Sequence, residues 1–367
     1  MTSPRSEDLP MAPPPRIADR MCLSEGLHAI PRGPRNGSDR RAPRCDTEHV
    51  EHPTAQTPAQ TLAQTPALAR TIRLDGPLDL GLTVAPLWRG HGDPTMKIDR
   101  NGVWRVTRTP QGPATLHLVA KRDALDVRAW GPGAAWAIDA APGLAGLEDE
   151  PGGLRTSHPL IRDLARRRPG LRLPKSRAVF EAILPAIAEQ KVTGAEAHRA
   201  FRGLVLAHGD RAPGPAGNAG MRVPPAPETL ARLPYFAFHP FGLERRRAET
   251  IRRVAAEARR LEEATRLSPA EGQARLRAIP GIGPWTAAEV AARAWGDPDA
   301  VSVGDFHIPN LVAWALAHEP RGSDERMLEL LAPFAGQRGR VIRLLELSGI
   351  QPPRYGPRYA GRRIEAF

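Results

Sequence analysis

Two stretches of this 367-residue chain could do chemistry together. The first is Pro280-Gly-Ile-Gly-Pro284, with Trp285 directly after it; the second is Val303-Gly-Asp305-Phe-His307. Gly281 and Gly283 carry no Cβ over their amides, so those N–H groups can approach an anion closely. A helix opening at Pro284 would aim its positive end at the same spot, which favours a phosphate. Asp305 follows Ala300-Val-Ser-Val303 and precedes a helix with Pro309 in its first turn. Alone it reads as a helix N-cap. Next to a phosphate anchor it also reads as a carboxylate acting on a bound nucleotide. His307 could be a general base, but a helix-start histidine facing solvent or DNA is the plainer reading. The His, Cys, Asp and Glu spacings fit no metal cluster, and no phosphate loop of the nucleotide-hydrolase type is present.

The elements that must position these residues are two helices joined by a tight turn. Ser268-Pro-Ala-Glu271 is a capping box with proline at the first helical position, and it starts the upstream helix. The downstream run from Trp285 to Trp295 meets no breaker before Gly296. Val179, Phe180, Ile183, Leu184 and Ile187 form an apolar helical face that ends at Glu189-Gln190. Ala197, Phe201, Leu204 and Val205 make the next helix, and further helices are expected around Leu311–Leu316, Glu325–Leu331 and Val341–Leu347.

Ahead of the helices, Thr71–Leu74, Val103–Thr107, Ala114–Val119 and Leu125–Ala129 have strand character, with turns at Asn101-Gly102 and Gln111-Gly-Pro113. A helix is expected over one sheet face within Gly76–Arg89. Gly, Pro and acidic residues at Ala141–Gly153 mark a boundary, and Asp210–Pro227 reads as a connection. The fold class is therefore α+β. Residues 1–70, rich in Pro, Arg, Ser, Thr and Gln, are expected to be a disordered tail. Residues 71–153 form a small antiparallel β domain, residues 154–350 a helical domain, and residues 351–367 a basic tail with interleaved aromatics.

With 52 Lys+Arg against 40 Asp+Glu the net charge is +12, which suits a polyanionic partner. No apolar run reaches membrane-spanning length, and the N-terminus lacks the apolar core of a signal peptide. Cys22 and Cys45 are the only cysteines, too few for a disulfide framework or a four-cysteine iron–sulfur cluster. A cytoplasmic, nucleoid-associated monomer is expected.

Pro280-Gly-Ile-Gly-Pro-Trp-Thr-Ala287 followed by Val303-Gly-Asp305 resembles the helix–hairpin–helix DNA glycosylase superfamily, most of all its bacterial 3-methyladenine DNA glycosylase II branch. The resemblance extends over about residues 71–350. It includes Ala186-Ile-Ala-Glu-Gln-Lys-Val192 and the Thr107–Thr115 stretch of the sheet domain. It implies that Asp305 is the catalytic carboxylate. The physics agrees: breaking a glycosidic bond builds positive charge on the sugar. At about 4 Å and an effective dielectric near 20, a carboxylate stabilises such a charge by roughly 4 kcal/mol, or about three decades in rate if confined to the transition state.

Trp285 stands where the lyase-type members carry a nucleophilic lysine. An indole cannot form a Schiff base, so the resemblance implies a monofunctional enzyme with Trp285 stacked on the flipped base. Gly281 and Gly283 would bind a DNA phosphate, and Gln190 or Lys191 would fill the gap in the duplex. The backbone carbonyls of Arg277, Ile279 and Ile282 would hold Na+ or K+. Lys191 and Glu289 depart from the branch, which has an apolar wedge and an aromatic at these positions. Glu289 could favour a cationic base or face solvent. The expected function is excision of alkylated purines from damaged duplex DNA in base excision repair. The alternatives are a glycosylase for other damaged or mispaired bases, and a catalytically silent DNA-binding module.

Overall fold

The computed structural model describes residues 68–353. The expectations for the two tails, and both cysteines, lie outside the described residues except at the tails' inner edges.

β-Branched and aromatic residues build a five-stranded antiparallel sheet: β1 (Leu68–Arg73), β2 (Met96–Asp99), β3 (Gly102–Thr109), β4 (Gly112–Ala120) and β5 (Ala124–Trp130), in the order β1-β5-β4-β3-β2. Register places Val103 opposite Leu118 and Trp104 opposite His117. Strand β1 starts inside the stretch read as tail. Strand β2 escapes a sequence reading because it has four residues, two of them charged, and is held by pairing with β3.

One sheet face, with Val103, Leu116, Leu118, Leu125 and Val127, packs on α1 (Leu80–Val84) and α2 (Ala134–Leu144). Helix α2 runs into Ala141–Gly153, which reads as a boundary from its composition, because Ala141 and Leu144 are needed in that core. On the opposite face, Val106 and Trp104 pack against Ala212, Ala216, Met221 and Val223. The Asp210–Pro227 connection is therefore a cover for the sheet, with a short helix α6 (Pro215–Asn218) within it.

The helices continue with α3 (Pro159–Arg167), α4 (Val179–Ala188), α5 (Gly194–His208), α7 (Pro227–Arg232), α8 (Arg245–Ala256), α9 (Ala258–Glu263), α10 (Pro269–Arg277), α11 (Pro284–Val290), α12 (Ile308–Ala317), α13 (Asp324–Leu331) and α14 (Arg338–Ser348). They divide between two cores. Helix α4 is the centre of the first, where Ile183, Leu184 and Ile187 meet residues of α5, α8, α9 and α11. Each such fully buried side chain stabilises the fold by about 1.5–3 kcal/mol. The second joins α3, α12, α13 and α14 through Ile161, Val312, Met327, Leu331 and Val341. The hairpin between α10 and α11 belongs to the first core and α12 to the second, so Asp305 lies at the seam between them.

Sheet and helices are locked together by buried polar contacts. Glu181 of α4 accepts from Arg105 Nη2 at 2.9 Å, Thr107 Oγ1 at 2.8 Å and Arg108 N at 2.6 Å, all on β3. Arg340 of α14 pairs with Asp149, both side chains nearly inaccessible. No helix among the described residues is long and apolar enough to cross a membrane.

Candidate active site

Both halves of the capping box form at α10. The Ser268 side chain accepts from Glu271 N, and the Glu271 carboxylate accepts from Ser268 N at 3.0 Å. The turn that follows closes through Ile282 N–H donating to Ile279 O at 3.0 Å, with the Ile282 side chain buried. Gly281 has φ +100°, and a Cβ there would lie 2.3 Å from Thr250 Oγ1, so glycine is required twice over. The turn does not require glycine at position 283. The φ of Gly283 is −95°, which any residue adopts, and a Cβ there would meet nothing within 4 Å.

Helix α11 gives way at Ala291–Trp295 to a π-helical turn that ends at Gly296, φ +67°. Such widened turns frequently sit at functional sites. Trp285, in the first turn of α11, is half-buried, and its indole Nε1 donates to Asp305 Oδ2 at 3.0 Å. The other oxygen, Oδ1, accepts from the backbone amides of His307 at 2.7 Å and Ile308 at 2.9 Å. Asp305 is thus a cap of α12 with one oxygen and the partner of Trp285 with the other. The turn that carries it is pinned by Asp305 N to Ser302 O at 3.1 Å and by Gly304 N to Asp324 Oδ1 at 3.0 Å.

Gln190 and Lys191 follow α4. Gln190 Nε2 donates to Gly281 O at 3.1 Å and to Thr286 Oγ1 at 2.9 Å, fastening this turn to the hairpin. Lys191 is exposed and left-handed, φ +58°, a conformation unusual for any residue but glycine or asparagine. Of the two, only Lys191 leaves its side chain in solvent. His307 is exposed, as expected of a helix-start residue.

Glu289 does not face solvent. It is largely buried and paired with Arg293, and its Oε1 accepts from Ser302 Oγ at 2.5 Å. Burial works against its charge, but Arg293, the Ser302 hydroxyl and Arg89 outweigh burial and hold its pKa below the usual carboxylate range. Sequence reasoning also missed Phe306, which is 83% exposed directly beside Asp305. The available signal was an aromatic standing between a polar turn and a helix start. Among the described residues no group of His, Cys, Asp and Glu could hold a metal ion.

No protein-family model matches the chain. A curated Mycobacterium tuberculosis protein, named "Probable bifunctional transcriptional activator/DNA repair enzyme AlkA", is 31% identical over 149 residues. That match spans 40% of this chain and 29% of the relative's length. Among solved structures, a 3-methyladenine DNA-glycosylase from Archaeoglobus fulgidus superposes with a TM-score of 0.63 at 20% identity, covering 76% of this chain and 97% of that one. An 8-oxoguanine glycosylase/lyase from Clostridium acetobutylicum superposes with a TM-score of 0.58 at 14% identity, covering 76% and 95%. The chain has the fold of these DNA glycosylases.

Proposed function

We propose that this chain is a monofunctional DNA N-glycosylase that flips an alkylated purine of the 3-methyladenine type out of duplex DNA, excises it and leaves an abasic site. The observation that carries the reading is the hydrogen bond between Trp285 Nε1 and Asp305 Oδ2 beside the glycine hairpin. A hairpin acting only as a phosphate clip needs neither residue.

In this reading the carboxylate of Asp305 faces the sugar as positive charge develops there. Oδ1 is fixed by two amides and Oδ2 by the indole, so little reorganisation is needed when the bond breaks. An alkylated purine is cationic and already a good leaving group, so no strong general acid is required. Trp285 presents an electron-rich ring on which such a base stacks. It has no amine for a Schiff base, which supports hydrolysis over lyase chemistry. Phe306 adds a second aromatic surface beside the carboxylate. Lys191 fills the space vacated by the flipped nucleotide while Gln190 ties that turn to the hairpin. Flipping costs a few kcal/mol, least for a damaged or mispaired base.

The hairpin amides at Gly281 and Gly283 would take a backbone phosphate. The carbonyls of Arg277, Ile279 and Ile282 would hold Na+ or K+. Of these, the Ile279 carbonyl accepts from Ile282 N–H, and a carbonyl keeps a second lone pair after accepting one hydrogen bond. A bound cation would lend positive charge to the phosphate contact.

The test is to incubate the chain with methylated duplex DNA and separate the released bases by chromatography. Release of 3-methyladenine or 7-methylguanine that disappears in Asp305→Asn supports the reading. Release of oxidised or deaminated bases instead would shift the substrate class. No release from any damaged duplex would leave a DNA-binding module.

A further inference from the structure

We propose that Glu289 is a positioning residue that fixes the Asp305 turn from α11, through the hydroxyl of Ser302. The inference rests on the glycosylase reading and extends it to a residue that reading does not use. Trp285 and Glu289 are one helical turn apart and therefore share a face of α11. Ser302 and Asp305 are the two ends of the turn opposite. The two pairs form two rungs: Trp285 Nε1 to Asp305 Oδ2 at 3.0 Å, and Ser302 Oγ to Glu289 Oε1 at 2.5 Å. One rung would let the turn pivot about the indole; two set its direction as well as its distance. A displacement of about 1 Å in a reacting group can cost as much as a hundredfold in rate, so the second rung bears directly on Asp305.

Glu289 is itself held. Its second oxygen pairs with Arg293 in the π-helical turn, and Arg293 Nε donates to Pro86 O at 2.9 Å. Arg89 Nη1 donates to the same carbonyl at 3.1 Å and lies 3.6 Å from Glu189 Oε1. Glu189 immediately precedes Gln190, which grips the hairpin. All four charged side chains are largely buried, so their attractions are little screened by salt. A continuous buried chain therefore runs from the Asp305 turn through α11 and the loop at Pro86–Arg89 to the Gln190–Lys191 turn. A solvated glutamate, or one that merely pairs with its neighbour at i+4, would not reach across to Ser302.

The experiment is single-turnover base release from methylated duplex, together with affinity for a duplex bearing an abasic analogue and thermal melting. The variants are Ser302→Ala, Glu289→Gln and the double variant. Ser302→Ala leaves the Glu289–Arg293 pair in place and removes only the rung. It is expected to slow release about tenfold, with abasic affinity unchanged and a fall in melting temperature no larger than the loss of one hydrogen bond to a carboxylate brings. Glu289→Gln weakens the pair with Arg293 but its amide oxygen can still accept from Ser302 Oγ, so it should slow release less than Ser302→Ala. The double variant should be no slower than the worse single one, because both act through one link. Multiplying losses, wild-type release by Ser302→Ala, or losses that follow melting temperature would each overturn the positioning role. The unaltered chain and Asp305→Asn test the underlying reading separately. Absence of Asp305-dependent release overturns both, whereas Asp305-dependent release indifferent to Ser302→Ala overturns the positioning role alone.

Discussion

Trp285 donates its indole N–H to Oδ2 of Asp305 across 3.0 Å, while two backbone amides at the start of α12 hold Oδ1. The pair joins the hairpin core to the second helical core at the point where the chain would meet DNA. The indole would orient the carboxylate with its N–H and stack on the base with its ring, and substitutions separate these roles. Trp285→Phe keeps a ring and loses the donor, which removes a hydrogen bond to a charged group worth about 1.5–3 kcal/mol. It should lower single-turnover base release by about tenfold or more while abasic-analogue binding stays near wild type. Asp305→Asn should abolish release and keep that binding. A Trp285→Phe variant that excises normally would show that the donor is dispensable.

Gly281 and Gly283 should fail in opposite ways. Gly281→Ala puts a Cβ against Thr250 Oγ1 at 2.3 Å and in a backbone conformation that alanine resists. It should destabilise the fold by about 3 kcal/mol, visible as a lower melting temperature. Gly283→Ala has open space and an ordinary φ. Its melting temperature should be unchanged and its affinity for duplex DNA lower, because the added methyl stands where a phosphate would approach. Equal DNA affinity of Gly283→Ala and wild type would remove that side of the hairpin from the interface.

How much of this was readable from sequence depended on how local the signal was. The α10 capping box, the Pro280–Pro284 turn and the apolar face of α4 are encoded within a few residues of themselves. Strand β2 and the Asp210–Pro227 cover are not, since each exists only by pairing or packing against β3. At the site, Asp305 could be picked out because its turn follows a glycine hairpin. The placement of Glu289 could not. Arg293 is its own neighbour at i+4, but Ser302 and Arg89 come from two other segments, and only the fold decides that they share a buried space. The choice between Gln190 and Lys191 was equally closed, because it depends on which side chain the hairpin captures.

Lys191 occupies a left-handed position at the end of α4 with its side chain in solvent. If the residue were there only to end the helix, glycine would do better. Lys191→Gly should therefore stabilise the free protein by up to about 1 kcal/mol, raising its melting temperature. It should at the same time weaken binding to an abasic-analogue duplex and slow excision. A variant that is stabler and fully active would assign Lys191 to helix termination alone.

Glu262 controls the other end of the same helix. From α9 its carboxylate accepts from Val179 N at 3.0 Å and Phe180 N at 2.8 Å, satisfying the first amides of α4. Burial penalises its charge more than these two bonds favour it, and with Glu181 nearby its pKa rises from 4.5 to about 7. A group whose folded pKa is raised stabilises the fold fully below its unfolded value. That contribution is lost as pH rises through the folded value. Stability should therefore fall between about pH 5 and pH 8, by on the order of 3 kcal/mol at most. Glu346, also buried and also raised, adds to the fall in the same direction. Glu262→Gln keeps one acceptor for the α4 amides and cannot titrate. Thermal melting from pH 5 to pH 8 should show a shallower decline in Glu262→Gln than in wild type. Because α4 presents Gln190 and Lys191 at its far end, abasic-duplex affinity should follow the same pH trend more weakly. Parallel melting curves for the two proteins would show that Glu262 does not titrate in this range.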